Sequence, residues 1–362
     1  MDWSTARRIL CIRLDSLGDV LMTTPAMAAI KATLPQSHLT LMTSEAGATV
    51  VPQLPMVDDV WVYDAPWLKA TAPRLNSQPE YALLEALRSR QFDAAIIFTV
   101  YSQNPLPSAF MTYMADIPLR LAHCRENPYQ LLTHTIRDPE PELFRHEVQR
   151  QLDLVASVGY HTPDQTLQLA VPISAHRRSA DLLRTLDITP EHPWIVVHPG
   201  ASAPSRRYPP ESFAEVARSL VKRGITVLFT GTEPERALVD RIRKQMKAPS
   251  HSLVGQLSLA ELAALLTAAP LLLSNNTGPV HIAAAVNTPV VDIYALTNLQ
   301  HTPWQVPHRV LFHDVPCRLC YKSVCPEEHH NCLRLLAPQE VVQAVLALMP
   351  AELTQPANKA LC

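Results

Sequence analysis

Residues 274–281 form a short polar segment whose residue types suit a phosphate-binding turn. The segment reads SNNTGPVH and lies between an apolar run and a run of small residues. This pattern predicts a buried strand that turns into a helix, with Thr277, Gly278 and His281 in its first turn. The start of a helix offers unpaired N–H groups and about half a unit of positive charge, so it can hold a phosphate. For this segment alone, an ordinary capped turn is the alternative.

A second predicted strand end carries two consecutive arginines. Residues 194–198 (WIVVH) predict a strand, and the loop 199–208 (PGASAPSRRY) follows it before the next helix. The planar guanidinium groups of Arg206 and Arg207 can each pair with two phosphate oxygens, so they suit the diphosphate of a nucleotide sugar. The loop therefore predicts a second anion-binding turn.

Two further strand ends are polar. Residues 225–230 (ITVLFT) predict a strand that leads into the turn 231–235 (GTEPE), so three such turns of the C-terminal half are expected at one edge of a parallel sheet. In the N-terminal half, residues 9–14 (ILCIRL) predict the first strand, and Gly18 and Asp19 lie where it turns into a helix. This turn lacks the G-x-G-x-x-G dinucleotide motif, and helix capping is the alternative role for Asp19.

These motifs, in order, resemble glycosyltransferase family 9, the ADP-heptose-dependent heptosyltransferases of lipopolysaccharide assembly and their relatives. The resemblance runs from about residue 8 to about residue 347 and is specific for the family, not for the acceptor. The motifs that carry it are residues 17–20 (LGDV) with Pro25, 198–200 (HPG) with 206–208 (RRY), and 276–281 (NTGPVH) with 283–285 (AAA) and 288–289 (TP).

The resemblance implies a fold and a reaction. Two Rossmann-like α/β domains are expected to face each other across a cleft, in an architecture of the GT-B type. The expected reaction is inverting transfer of a heptose from ADP-heptose to a hydroxyl of an acceptor glycan, with the lipopolysaccharide inner core as the first choice of acceptor. Such a transfer needs a base on one face of the sugar and positive charge on the other.

The resemblance also implies roles for individual residues. Asp19 is the expected base. Arg206, where relatives usually carry lysine, and Arg207 are expected to hold the diphosphate. Glu235, ahead of Glu233, is expected to accept hydrogen bonds from the ribose hydroxyls. The expected donor-binding residues are Ser202, Arg206, Arg207, Glu235, Asn276, Thr277, Gly278 and His281.

Two residues of the last motif, His281 and Asn276, and the neighbouring Asn287 differ in what they are expected to do. His281 is expected to orient the phosphate end or the sugar, and packing of its helix against the sheet is the alternative. Relatives usually have aspartate where this chain has Asn276. Compared with aspartate, asparagine keeps one hydrogen-bond acceptor, gains a donor and loses a negative charge. That change puts the identity of the sugar in doubt more than the type of reaction. Asn287 replaces a common glycine in a turn where asparagine tolerates a left-handed backbone.

The length and the pattern of elements predict two domains. The chain has 362 residues, 47% of them hydrophobic, which is enough apolar surface for two cores. Strand and helix patterns alternate, which favours parallel sheets covered by helices on both faces. A polar, proline-bearing stretch near residues 163–178 places the boundary near Ala170, giving domains 1–169 (acceptor) and 170–362 (nucleotide sugar). The predicted strands are 9–14, 38–43, 60–63, 94–99, 195–198, 227–230, 271–274 and 290–294.

Charge and hydropathy exclude some classes of protein. A formal net charge of −2 gives no electrostatic reason to bind nucleic acid. No apolar run reaches 18 residues, and Arg13 interrupts the apolar N-terminal strand, so neither a transmembrane helix nor a signal peptide is predicted. We therefore expect a cytoplasmic protein, with peripheral contact at the cytoplasmic face of the inner membrane as an open option.

Four of the seven cysteines lie within 16 residues, in a Cys-rich segment at 317–332. Cys317, Cys320, Cys325 and Cys332 are spaced unlike a standard zinc ribbon, so a metal site, a redox-labile pair and plain reduced thiols all stay open. The family resemblance implies that no cofactor is required for catalysis. Any zinc or iron held here is therefore expected to be structural.

Three functions stay open from the sequence. The first is a heptosyltransferase of the lipopolysaccharide core. The second is a family 9 transferase with a protein or another glycan as acceptor, or with a different sugar nucleotide, which the cysteine cluster mildly favours. The third is an inactive protein that binds sugar nucleotides, supported by Asn276 alone and opposed by the joint presence of Asp19, Arg206 and Thr277.

Overall fold

The computed structural model describes residues 2–68, 71–140, 143–350 and 353. The chain divides into two compact units, residues 1–170 and 171–362. Each unit is an α/β structure with its own parallel sheet.

The described part of the first unit has six parallel strands in the order β3-β2-β1-β4-β5-β6. This is the strand order of a doubly wound Rossmann sheet, in which the order reverses beside the first strand. The strands are β1 (Arg8–Arg13), β2 (His38–Thr43), β3 (Asp59–Val62), β4 (Ala94–Ile97), β5 (Leu119–His123) and β6 (His134–Ile136). The helices are α1 (Leu17–Thr33), α2 (Glu45–Ala48), α3 (Gln78–Arg90), α4 (Leu106–Met114) and α5 (Glu147–Ala156).

The second unit repeats this arrangement, with six parallel strands in its described part in the order β12-β11-β10-β7-β8-β9. Its strands are β7 (Trp194–His198), β8 (Thr226–Phe229), β9 (His251–Ser252), β10 (Leu272–Asn275), β11 (Val290–Ile293) and β12 (His308–Leu311). Its helices are α6 (Ile173–Thr185), α7 (Pro210–Val221), α8 (Arg236–Met246), α9 (Leu259–Ala268), α10 (Gly278–Ala285), α11 (Asn331–Arg334) and α12 (Pro338–Leu348).

Buried strands and amphipathic helices form each core. All of β7 is buried, as expected for a central parallel strand covered on both faces. Helix α7 buries Phe213, Val216, Ala217 and Leu220, which recur at helical spacing and pack into the core of the second unit. The first unit has a core of its own between its sheet and helices. The strand pairing thus brings the ends of β7, β8, β10 and β11 to one sheet edge.

Candidate functional site

Asn275 joins two of the turns at the carboxyl edge of the second sheet. This last residue of β10 is fully buried. Its Nδ2 donates to the carbonyl oxygen of Pro199 at 2.7 Å, and its Oδ1 accepts from the Tyr208 N–H at 3.1 Å. The loop after β7 is therefore held against the end of β10. No role for Asn275 was predicted from the sequence, although an amide at the end of an apolar strand is a usable signal.

The two arginines of the loop after β7 make different contacts. Arg207 donates from Nε to the Ala201 carbonyl oxygen at 2.8 Å and from Nη2 to that of Ser202 at 3.3 Å. Its guanidinium therefore braces its own loop, and the Ser202 side chain is exposed. Arg206 is half-buried, and its guanidinium makes no hydrogen bond or ion pair within the described residues. Arg206 is thus the cation left available for an anionic ligand.

Helix α10 begins as the sequence predicts. Thr277 is the N-cap with an extended backbone, and its side chain does not cap the helix, so the hydroxyl is left for another partner. Gly278 is the first helical residue, and Pro279 follows in the first turn, where a missing N–H costs nothing. Thr277 and Gly278 are half-buried, whereas His281 is only 4% exposed. That burial favours the alternative in which His281 packs its helix against the sheet. A role of His281 in orienting the phosphate end or the sugar of the donor stays a prediction.

Glu235 lies at the turn after β8. Its Oε2 accepts from the N–H of Thr232 at 2.7 Å and from the Thr232 hydroxyl at 2.9 Å. The carboxylate also lies against Gly200, because a Cβ at that position would collide with Oε1. Glycine is therefore required there for close approach. Glu233 is instead paired with the Arg236 guanidinium on the surface, which leaves Glu235 as the stronger candidate for the ribose.

Asn276 contacts an acid that the sequence analysis missed. Its Nδ2 donates to Asp292 Oδ2 and to the backbone oxygen of His301, both at 3.1 Å. Asp292 lies on β11 and is fully buried. Burial raises the pKa of Asp292 to about 8, although the Asn276 hydrogen bond and the Arg206 charge oppose this. The available signal was a single acid within the apolar strand VVDI.

Asp19 both caps a helix and stays partly accessible. It is the third residue of α1, and its Oδ2 accepts from the Ser16 N–H at 3.2 Å and the Ser16 hydroxyl at 2.8 Å. Its Oδ1 faces Arg13 Nη2 at 3.3 Å, and 17% of its side chain is exposed. Capping does not therefore exclude a chemical role, because an accessible carboxylate held by three donors is preorganised.

Arg13 is the centre of a buried cluster of charges. Its guanidinium is fully buried and meets Asp15 at 3.1 Å, Asp19 at 3.3 Å and Glu147 at 2.9 Å. Burial opposes the charge on Arg13, but the three carboxylates together raise its pKa. Burial also raises the pKa of Asp15 to about 6 against the influence of Arg13, while Gln103 Nε2 donates to its Oδ1 at 2.5 Å.

Glu147 and Asp15 belong to this charge cluster, and neither was predicted from the sequence. The structure shows Glu147 fully buried at the start of α5. The signal was Arg13 itself, since a charged residue in a buried strand requires partners.

The four clustered cysteines surround a small cavity of about 20 Å³. Cys317 Sγ lies 3.7 Å from His329 Nε2, and burial together with the neighbouring thiols raises the pKa of Cys332. Thiolates and imidazoles are ligands of zinc and iron, and the cavity has room for a single ion. However, among the residues that the structure describes, no three acidic, cysteine or histidine side chains are arranged to ligate one ion.

The Cys-rich segment 317–332 is also attached to the loop that carries Arg206. The N–H of Ser205 donates to the Ser323 carbonyl oxygen at 3.2 Å, and its hydroxyl donates to that of Lys322 at 3.0 Å. Ser205 lines the cysteine cavity as well. The Cys-rich segment therefore supports the 3-10 turn Pro204–Arg206.

None of the helices in the described ranges is long and apolar enough to cross a membrane.

Two doubly wound parallel sheets, each with polar turns at its strand ends, define a two-domain α/β protein of the GT-B type. Comparison with known proteins agrees with the motifs. The chain belongs to glycosyltransferase family 9 (heptosyltransferase), whose family model matches residues 80–331. It is therefore a glycosyltransferase. Asp19 precedes the matched span.

Curated relatives align over nearly the whole chain. The chain is 25% identical over 357 residues to lipopolysaccharide heptosyltransferase 2 of Escherichia coli K12, covering 95% of this chain and 99% of the relative. It is 25% identical to lipooligosaccharide heptosyltransferase 2 of Haemophilus ducreyi, with 94% and 99% covered. It is 26% identical to lipopolysaccharide heptosyltransferase 1 of Pseudomonas aeruginosa, with 95% and 98% covered.

Solved structures share the fold. A family 9 glycosyltransferase from Veillonella parvula superposes with a TM-score of 0.77 at 21% identity, covering 96% of this chain and 98% of the other. The E. coli ADP-heptose lipopolysaccharide heptosyltransferase II gives 0.70 at 23% identity, with 94% and 98% covered. The iron-containing dodecameric glycosyltransferase TibC of enterotoxigenic E. coli gives 0.56 at 15% identity, with 96% and 77% covered.

Proposed function

We propose that this enzyme is an inverting heptosyltransferase that moves a heptose from ADP-heptose to a hydroxyl of the lipopolysaccharide inner core. The observation that supports a nucleotide-sugar donor is the Arg206 guanidinium, which has no partner among the described residues and belongs to the unit in which α10 begins at Gly278. The curated relatives are named lipopolysaccharide and lipooligosaccharide heptosyltransferases. An E. coli heptosyltransferase of the same fold has been solved with ADP-2-deoxy-2-fluoro heptose.

The proposed mechanism assigns one task to each group. Asp19 takes the proton of the acceptor hydroxyl as that oxygen attacks the anomeric carbon. The bond to the diphosphate breaks on the opposite face, which inverts the anomeric centre. Arg206 and the first N–H groups of α10 stabilise the departing ADP, because they place positive charge where negative charge develops. Ser202 and the Thr277 hydroxyl add hydrogen bonds, and Glu235 accepts from the ribose.

The test is direct transfer. Purified protein is incubated with ADP-heptose and lipopolysaccharide core that lacks heptose, while ADP release and product mass are followed. We expect ADP release that depends on the acceptor, a product heavier by one heptose, and inversion at the anomeric carbon by NMR. Binding of ADP-heptose without transfer to any core acceptor would contradict the proposed acceptor and leave the donor intact.

Two alternatives give different results in the same assay. Transfer to a protein, to another glycan or from another sugar nucleotide would support a family 9 transferase with a different acceptor or donor, which the Cys-rich segment 317–332 mildly favours. Binding with no transfer to any acceptor would support an inactive sugar-nucleotide-binding protein, for which Asn276 is the argument.

We also propose two properties outside the reaction. No cofactor takes part in catalysis, and the thiols of Cys317, Cys320, Cys325 and Cys332 can close around one structural zinc or iron ion after small side-chain movements.

The enzyme is placed in the cytoplasm, at the face of the inner membrane where a lipid-anchored acceptor is presented. Sedimentation with vesicles of anionic phospholipid tests this placement, and protein that stays in the supernatant would argue against peripheral binding.

A further inference from the structure

Asp292 is a buried acid to which the proposed mechanism gives no task. It lies on β11, fully buried, and Asn276 Nδ2 donates to its Oδ2. Its Oδ1 is also buried and has no hydrogen-bond partner among the described residues. A buried carboxyl with so few partners is costly, so its presence in the strand VVDI points to a role.

The Asn276 amide has one favourable orientation in this environment. Its Nδ2 carries two hydrogens, and each has an acceptor, Asp292 Oδ2 and the His301 carbonyl oxygen, both at 3.1 Å. Turning the amide over would place its oxygen against the His301 carbonyl oxygen, which can only accept, so that arrangement is repulsive. Both donors are therefore used, and no described residue donates to Asn276 Oδ1. The acceptor end is the part of this side chain that is left for a ligand.

The position of Asn276 indicates which part of a ligand it meets. It directly precedes Thr277 and Gly278, the start of α10 where the proposed function places the diphosphate. In ADP-heptose the diphosphate carries the donor heptose, so a side chain next to the diphosphate can reach that sugar. A carbonyl oxygen can only accept hydrogen bonds, so it suits a sugar hydroxyl.

We propose that Asp292 is a positioning residue, which fixes the Asn276 amide so that Oδ1 accepts a hydrogen bond from a hydroxyl of the donor sugar. This inference rests on the proposed function. A sugar without that hydroxyl leaves a buried acceptor unpaired, so the pair Asn276–Asp292 discriminates among sugar nucleotides.

The test compares binding of ADP and of ADP-heptose by calorimetry, with no acceptor present. Asp292→Leu has a similar shape but removes the acceptor of the Asn276 amide, whereas the control Asp292→Asn keeps an oxygen there. We expect Asp292→Leu to weaken ADP-heptose about 3–10-fold, the effect of one hydrogen bond, and to leave ADP within about twofold. Asp292→Asn is expected to bind both ligands within about twofold of the unchanged protein.

Equal weakening of ADP and ADP-heptose by Asp292→Leu would show a general structural role and overturn the proposal, as would unchanged affinity for both. If Asp292→Leu does not fold, Asn276→Ala is measured instead. This variant lacks Oδ1 itself, so it should show the same loss of affinity for ADP-heptose and no loss for ADP. If the unchanged protein binds neither ligand, the proposed function fails instead, so the two failures are distinguishable.

Discussion

At the scale of single residues, a side chain with a structural contact can also be the candidate for a chemical task. Asp19 accepts from Ser16 at the start of α1 and also keeps an accessible carboxylate beside Arg13. Arg207 is committed to carbonyl oxygens of its own loop, while the neighbouring Arg206 is not. Contacts in the structure therefore separate residues that the sequence presents as equals.

Replacing Asp19 by asparagine tests the base. The amide oxygen of the Asp19→Asn variant can still accept from Ser16, so the helix start is retained while the proton acceptor is lost. We expect kcat to fall by about two to four orders of magnitude, the usual contribution of a general base, with little change in ADP-heptose affinity. Asp116→Asn, an exposed acid in the same unit, is the matched control. Near-normal turnover of Asp19→Asn would remove Asp19 from the mechanism.

Replacing Arg206 by alanine tests the diphosphate contact. Because its guanidinium is otherwise unpaired among the described residues, its removal should weaken ADP binding by about 1.5–3 kcal/mol, the scale of hydrogen bonds to charged groups. The loss should shrink at high salt, since screening weakens the contact of the unchanged protein. Calorimetry at two salt concentrations measures both effects, with the exposed Arg184→Ala as control. An unchanged dissociation constant would place Arg206 outside the site.

The pKa of Asp292 predicts how stability changes with pH. The folded protein raises this pKa to about 8 from 3.8, so between these values the folded state binds more protons than the unfolded state. Stability contributed by this group is therefore full at low pH and is lost as pH rises through 8. Asp292→Asn cannot ionise, so its urea midpoint should fall less between pH 5 and 8, where this group alone contributes about 1.4 kcal/mol per pH unit. Identical slopes for both proteins would contradict the assigned pKa.

At the scale of elements, most apolar strands and their turns were predictable, whereas three of the four edge strands were not. The predicted strand 38–43 is β2, and the α/β alternation is confirmed by both sheets. The short strands β6, β9 and β12 lie at sheet edges and contain polar residues, so they lack a continuous apolar signal. Strand β5 is buried but contains Arg120 and His123, which hide it from a prediction based on hydropathy.

The candidate site was also predictable only in part: its local turns were predicted, and its tertiary contacts were not. The turns that carry Arg206 and Thr277 follow from local sequence, because a strand end, small residues and a helix start are adjacent in the chain. Glu147 and Asp292 could not be placed, because their partners Arg13 and Asn276 are far apart in sequence and meet only through tertiary folding.

The Cys-rich segment gives a prediction at the scale of elements. If its four thiols bind a metal, protein purified without chelator should carry about one equivalent of zinc or iron, because thiolates at this density favour those ions. Since Ser205 is hydrogen-bonded to residues 322 and 323, removing the metal should lower the melting temperature and weaken ADP binding without abolishing it. Elemental analysis and calorimetry measure this. Substoichiometric metal together with free alkylation of all four thiols would contradict metal binding by this segment.

At the scale of the whole molecule, the two units have separate sheets and separate cores. The residues proposed to hold ADP all belong to the second unit, and the proposed base belongs to the first. Binding of ADP should therefore act first on the second unit, since a ligand stabilises the structure that it contacts.

Hydrogen exchange tests this division. With ADP at about 100 times its dissociation constant, the bound state gains about 2.7 kcal/mol. We expect slower exchange at amides of the loop 199–208 and of α10, and unchanged exchange in strands β4 and β5 of the first unit. Unchanged exchange throughout the second unit, under conditions where calorimetry shows binding, would contradict the location of the donor site.

The charges around Arg13 also limit how this chain can evolve. Replacing Arg13 alone would leave three acids together without their shared cation, and breaking a buried ion pair typically costs about 3–5 kcal/mol of a total stability of about 5–15 kcal/mol. Replacing Glu147 alone carries a similar penalty. A lineage that exchanges positions 13 and 147 one at a time therefore passes through an intermediate that folds poorly. We expect the two residues to be inherited as a unit among descendants, even in those whose acceptor has changed.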